Sequence, residues 1–331
     1  RADYVFYLPL DTPANARRLI DILQPDWACF VKYDLWLNHL NALFAHTIPT
    51  ILISARFDAD SPFVKSLLAP LYRKTFASLT HIFTQDDQTK DILARFSPKS
   101  HSTQVSDTRY DRVSSNANDF VAIPEIDAFK GKRLCLMGGS TWPQGEKLLF
   151  AAWDQLKEQH DICLILAPHQ IEPARMQQWI RQYPAESLLF SQIDQLTAQH
   201  RILWIDNIGM LSRLYGYADV TYVGGAWGSG LHNILEAAVF GCPVLFGPQH
   251  KKFPEAGEMI LAGGAFSFSS LDALRETLAK LLNSAELRHS IGRMNKQFVA
   301  ERSGATEKIL RWCKDNALLS PIDATDKPTK A

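Results

Sequence analysis

Short runs of β-branched and aromatic residues alternate along this chain with longer stretches whose apolar positions recur at helical spacing. That alternation predicts βαβ units and a parallel sheet. In the first part the expected strands are 4–10, 27–33, 50–56, 81–85 and 102–106, with helices over 11–23, 38–45 and 62–79, the last interrupted near Pro70. From about Ser114 to Lys132 the pattern breaks into a polar stretch through Pro124, and a fresh strand starts at Arg133. A domain boundary is expected there. The second part reads as strands 134–138, 162–167, 202–205, 220–224, 244–247 and 265–268, separated by helices that include 145–159 and 173–183. A closing amphipathic stretch, 270–282, 285–302 and 306–316, is helical by pattern, and the Pro/Lys-rich tail from Ser320 is expected to be disordered.

The fold class is therefore α/β, with two doubly wound domains at 1–120 and 121–319 and a polar tail at 320–331. A length of 331 residues favours two hydrophobic cores over one. Two such domains facing each other hold ligands at the carboxyl ends of their strands, in the cleft between them. Function is expected in residues just after strands.

Thirty-five basic and thirty-five acidic residues cancel, so no global field recruits nucleic acid or an anionic membrane. The five cysteines are unclustered and mostly set in apolar runs, which fits reduced core cysteine rather than disulfides or a zinc site. No apolar stretch approaches the ~18 residues of a membrane-spanning helix. The chain opens without Met and enters an apolar run at Tyr4, so it is expected to start within a domain.

Strand 220–224 ends in the glycine-rich run Gly224-Gly225-Ala226-Trp227-Gly228-Ser229-Gly230, and a helix is expected from about Leu231. Backbone N–H groups and the positive end of a helix dipole would then meet a phosphate. Asn233 and Glu236, three apart, share a face. Glu236 could accept from both hydroxyls of a ribose, while the alternative makes Asn233 a helix cap and Glu236 a complement to the dipole. Asp206-Asn207-Ile208-Gly209-Met210, Pro168-His169-Gln170 and Gly139-Ser140-Thr141-Trp142 load three more strand ends with polar or glycine residues. Asp or Asn in the first of these could cap a helix or leave the backbone of Gly209 and Met210 against a flat base. No metal-ligand spacing stands out, so a metal-independent reaction without a cofactor is expected. Walker, Gly-x-Ser-x-Gly and full Gly-x-Gly-x-x-Gly motifs are missing, which lowers NTPase, hydrolase and hydride-transfer readings.

Taken in order, these strand ends resemble the GT-B-fold 3-deoxy-D-manno-octulosonic acid (Kdo) transferases. The strongest similarity runs through 206–211, 218–225, 231–238 and 243–248, with weaker matches at 32–38, 53–56, 107–111 and 139–141. The resemblance implies two Rossmann-like domains and an inverting transfer of Kdo from CMP-Kdo to a lipid A precursor in lipopolysaccharide biosynthesis. It implies work at the cytoplasmic face of the bacterial inner membrane, with peripheral contact to that surface. CMP would be held by Ser140, Thr141, Pro168, His169, Ile208, Gly209, Met210, Asn233, Ile234, Leu235 and Glu236. Arg56, at a strand end, is the candidate for acceptor phosphates, with a surface salt bridge as its alternative role. The stretch 63–76 could rest on the membrane, or pack as helix core.

Departures from the family pattern are specific. Pro168-His169-Gln170 stands where Pro-Arg-His is common, Lys32 and Asp34 where two acids are usual, and Trp142 where His follows Ser-Thr. The family's general base, a Glu in a Gly-Glu pair after the first strand, is expected upstream of Arg1. The competing readings are another GT-B enzyme, such as a UDP-sugar transferase or epimerase, and a nucleotide-binding fragment that lacks its base.

Overall fold

A computed structural model of the chain describes residues 3–58, 60–228 and 230–319. It divides into two compact units, one running to Asp111 and resuming at Arg302, the other spanning Arg112–Glu301.

The first unit is built on a parallel four-stranded sheet in the order β1-β2-β3-β4: Ala28–Val31, Thr50–Ala55, His81–Thr84 and Ser102–Gln104. Strand alternation divides its core into two layers. Leu52 and Ile82 face Phe76, Leu93 and Phe96 on one side. Ile51 and Phe83 face Ile309 and Cys313 of the last helix, Ala305–Asp315, on the other. That helix therefore belongs to the first unit, although chain order grouped it with the domain 121–319. The reason is that β2 and β3 are buried on both faces and need cover on both.

Residues 4–10 do not form the expected strand. They are largely exposed, and no described strand supplies the neighbour that its N–H and C=O groups would need. The polar stretch after Ser114 is more ordered than its composition suggests. Thr108–Asn118 is helical, and Pro124 starts a further helix to Lys130 that buries Ile126 and Phe129. The expected tail at 320–331 lies outside the described residues.

The second unit holds seven parallel strands: β5 Leu134–Thr141, β6 Ile162–Pro168, β7 Ser187–Leu189, β8 Ile202–Trp204, β9 Val220–Val223, β10 Val244–Phe246 and β11 Ala265–Ser267. Their order is β11-β10-β9-β5-β6-β8-β7. The chain builds outward from β5 on one side, then returns after β8 to build β9, β10 and β11 on the other. The strand order thus reverses between β5 and β9, and such a switch point is where doubly wound sheets open a crevice for ligands. Trp153, Trp204, Tyr222 and Phe150, all but fully buried, fill the core that fixes these strands.

Candidate functional site

At the switch point the ends of β9 and β5 nearly touch. Gly224 donates its N–H to Gly139 O at 2.9 Å, and a Cβ on Gly224 would lie 2.0 Å from Ser140 O. Only glycine permits that approach. Gly225 follows at φ +97°, where a side chain would strike the carbonyl of Gly230, and His232 donates its N–H back to Gly224 O at 3.2 Å. On the other side of β5, His169 donates its N–H to Thr141 O at 3.0 Å. Three strand ends, those of β6, β5 and β9, are joined into one rim.

The helix expected from Leu231 starts later and is short, Leu235–Ala238, with a turn that runs on to Gly241. Four glycines between 224 and 230 hold the chain in a loop, and the Asn233 side chain keeps it there by accepting from Leu235 N at 3.2 Å. Any anion-binding capacity therefore lies in the glycine loop more than in a helix dipole. Asn233 Nδ2 also donates to Glu236 Oε1 at 3.0 Å, so the two polar residues act as one unit. Burial pushes the Glu236 carboxyl above its usual range, against the opposing pull of Asn233 and Arg112. Beneath it, Tyr215 is buried against Gly139, and burial followed by the charge of Glu236 raises its phenol strongly. Ile234 and Leu235 turn their side chains into the core and can offer a ligand only backbone.

Trp142, His169 and His232 gather on the rim. Trp142 stacks on His169 with centroids 4.9 Å apart, and His169 stacks on His232 at 4.3 Å. Trp142 Nε1 donates to His232 Nε2 at 2.9 Å. His232 escaped the reading by sequence, although its position beside Asn233 was the available signal.

Under the rim, the Thr141 hydroxyl is fully buried and donates to Glu146 at 2.8 Å, so its side chain braces the site instead of facing it. The same buried carboxylate accepts from Trp179 at 3.2 Å and lies 3.4 Å from Arg175 Nε. Arg175 in turn bonds Gln170 O and Glu172, both at 3.0 Å, which secures the loop carrying Pro168 and His169. One strand further out, past β8, Ile208 and Gly209 are exposed and Gly209 adopts φ +98°, while Asp206 accepts from Ser191 N.

In the first unit, Arg56 at the end of β2 lies 3.6 Å from Asp86, the salt bridge that was its alternative role. Asp107 beyond β4 is buried between Arg109 (2.7 Å) and Lys32 (3.3 Å). Burial alone would raise its carboxyl, but Arg109 and Lys32 outweigh burial and hold it below its ordinary range. Within 63–76, Phe63 and Phe76 pack on Phe57, while Leu67 and Leu68 are exposed beside Lys65. The sequence does contain an Asp-x-Asp pair after a strand, Asp58 and Asp60, but Asp60 is paired with Lys65 on the surface. Among the described residues no group of three or more His, Cys, Asp or Glu is placed to hold a metal ion, and no helix is long and apolar enough to cross a membrane.

The second unit, doubly wound with a glycine-built rim at its switch point, falls in the glycosyltransferases of group 1 by its sequence profile. The profile described as "Glycosyl transferases group 1" matches residues 123–298, more than half of the chain, and that described as "3-Deoxy-D-manno-octulosonic-acid transferase (kdotransferase)" matches residues 1–112. Similar curated proteins are the 3-deoxy-D-manno-octulosonic acid transferases of Haemophilus influenzae, 26% identical over 93% of this chain and 74% of that protein, and of Bordetella pertussis, 24% identical over 93% and 73%. Among solved structures, a UDP-N-acetylglucosamine 2-epimerase superposes with a TM-score of 0.65 at 14% identity, over 95% of this chain and 80% of its own, a likeness of fold alone. The chain belongs to the Kdo transferase family and is a glycosyltransferase.

Proposed function

We propose that the second unit binds CMP-Kdo and that the enzyme transfers Kdo to a lipid A precursor, lipid IVA, at the cytoplasmic face of the inner membrane. The observation that carries this reading is the hydrogen-bonded Asn233–Glu236 pair beside the glycine loop at the switch point, in a chain whose residues 1–112 and 123–298 match the two profiles. The loop offers backbone N–H groups to the phosphate, Glu236 offers two lone-pair oxygens to the ribose hydroxyls, and Ser140, Pro168 and His169 line the neighbouring strand ends. Ile208, Gly209 and Met210 are proposed to meet the base, and Ile234 and Leu235 to contribute backbone only. Thr141 is reassigned from ligand contact to support.

The proposed chemistry is an inverting displacement. An acceptor hydroxyl attacks the anomeric carbon, a carboxylate takes its proton, and CMP leaves with its charge received by the loop. No metal ion is assigned a part. Arg56 and the exposed stretch around Leu67, Leu68 and Lys65 are proposed to meet the acceptor's phosphates and the membrane surface. The domains are proposed at 1–111 and 112–301 instead of 1–120 and 121–319, with helix Ala305–Asp315 in the first.

The test is calorimetric titration of the enzyme with CMP and with UDP. Tighter binding of CMP is expected; a preference for UDP would move the protein to the UDP-sugar branch of the same fold.

A further inference from the structure

The hydrogen bond between Trp142 and His232 determines where the histidine's protons are. An indole N–H can only donate, so His232 Nε2, 2.9 Å away, must present a lone pair. A neutral ring in that state carries its proton on Nδ1, and an imidazolium would set a second N–H against the indole. The surroundings point the same way. His169 is the titratable group that faces the ring, stacked at 4.3 Å, and burial followed by the proximity of His169 lowers His232 below the usual histidine range. Among the described residues nothing hydrogen-bonds Nδ1, and the half-buried ring sits in the loop that His232 N and Gly224 O close.

We infer that Trp142 is a positioning residue that holds His232 as its neutral Nδ1–H tautomer, so that Nδ1–H donates to an oxygen of the nucleotide phosphate. This rests on the CMP reading of the site. In this chain the indole removes any ambiguity about direction, because it cannot accept.

Two measurements test this, and they fail separately. Nitrogen-15 NMR of histidine-labelled enzyme reads the tautomer with no nucleotide present. The Nδ1–H form is expected for His232 near neutral pH, and an Nε2–H form or an imidazolium overturns the inference whatever the enzyme binds. Titration with CMP and with cytidine then compares the wild type with Trp142→Phe and Trp142→His. Trp142→Phe is expected to bind CMP about tenfold more weakly with cytidine nearly unchanged, the scale of one hydrogen bond to a charged group. Trp142→His should recover the loss. His232→Gln, which can accept from the indole and still donate, should keep the preference for CMP over cytidine, and His232→Phe should lose it. Equal losses for CMP and cytidine would mean general damage to the site and overturn the inference, as would unchanged CMP binding in Trp142→Phe. Failure of the wild type to bind CMP at all would overturn the donor reading together with the phosphate contact.

Discussion

Glu236 shows how a binding residue can oppose the stability of the protein that carries it. Its carboxyl is raised by burial, so the folded state holds the proton more tightly than the unfolded chain does. The sign follows: its effect on stability is favourable below the ordinary carboxyl range and is lost as pH rises through the raised value, above which the half-buried carboxylate opposes folding. Glu236→Gln is therefore expected to raise the melting temperature of the ligand-free enzyme near neutral pH while weakening CMP binding. Glu236→Ala should weaken CMP binding by ~1–3 kcal/mol, the scale of a lost charge-assisted hydrogen bond. A scan of melting temperature and a titration on the same samples check both; a variant that neither stabilises the protein nor loses affinity would remove Glu236 from this role. The spacing of Asn233 and Glu236 made their pairing legible from sequence. The Trp142–His232 bond was not, because the two lie 90 residues apart and only the adjacency of β5 and β9 brings them together.

At the scale of elements, periodicity located strands well where apolar runs are buried on both faces, as in β2, β6 and β9. It failed where three-dimensional neighbours decide. Residues 4–10 look like a strand yet have none beside them, and the 231–234 segment looks like a helix start yet is drawn into the glycine loop. The helix Leu37–Ala45 lies where the pattern placed it, but its N-cap residue Trp36 has no side-chain acceptor to offer. Asp11 supplies one from 27 residues away, accepting from Asn38 N and His39 N, both at 3.0 Å. Asp11→Ala is expected to cost ~1–2 kcal/mol, the range for a lost N-cap, measured by urea denaturation. Asp11→Asn, which keeps an acceptor oxygen, should recover part of it. No loss in Asp11→Ala would show that solvent satisfies the helix end equally well.

For the whole molecule, the feature that chain order conceals is the return of the C-terminal helix to the first unit, since an amphipathic pattern reveals an apolar face but not the sheet it covers. Trp312 of that helix stacks on His81 at 4.5 Å, and His81 Nε2 lies 2.9 Å from Thr103 Oγ1 on the neighbouring strand. Burial, then the proximity of His101, lowers His81 to about 4. A histidine lowered in the folded state leaves stability whole above the unfolded value of about 6.5. Below that value the unfolded chain takes up a proton that the native ring refuses, so stability falls until the folded value near 4 is reached. The melting temperature is thus expected to decline across that interval, and His81→Gln, which cannot titrate there, should flatten part of the decline. The loss should show first at Trp312, the indole resting on the protonating ring. Tryptophan fluorescence compared between the wild type and Trp312→Phe would isolate that signal, and a pH profile identical in His81→Gln and wild type would transfer the acid sensitivity to another group.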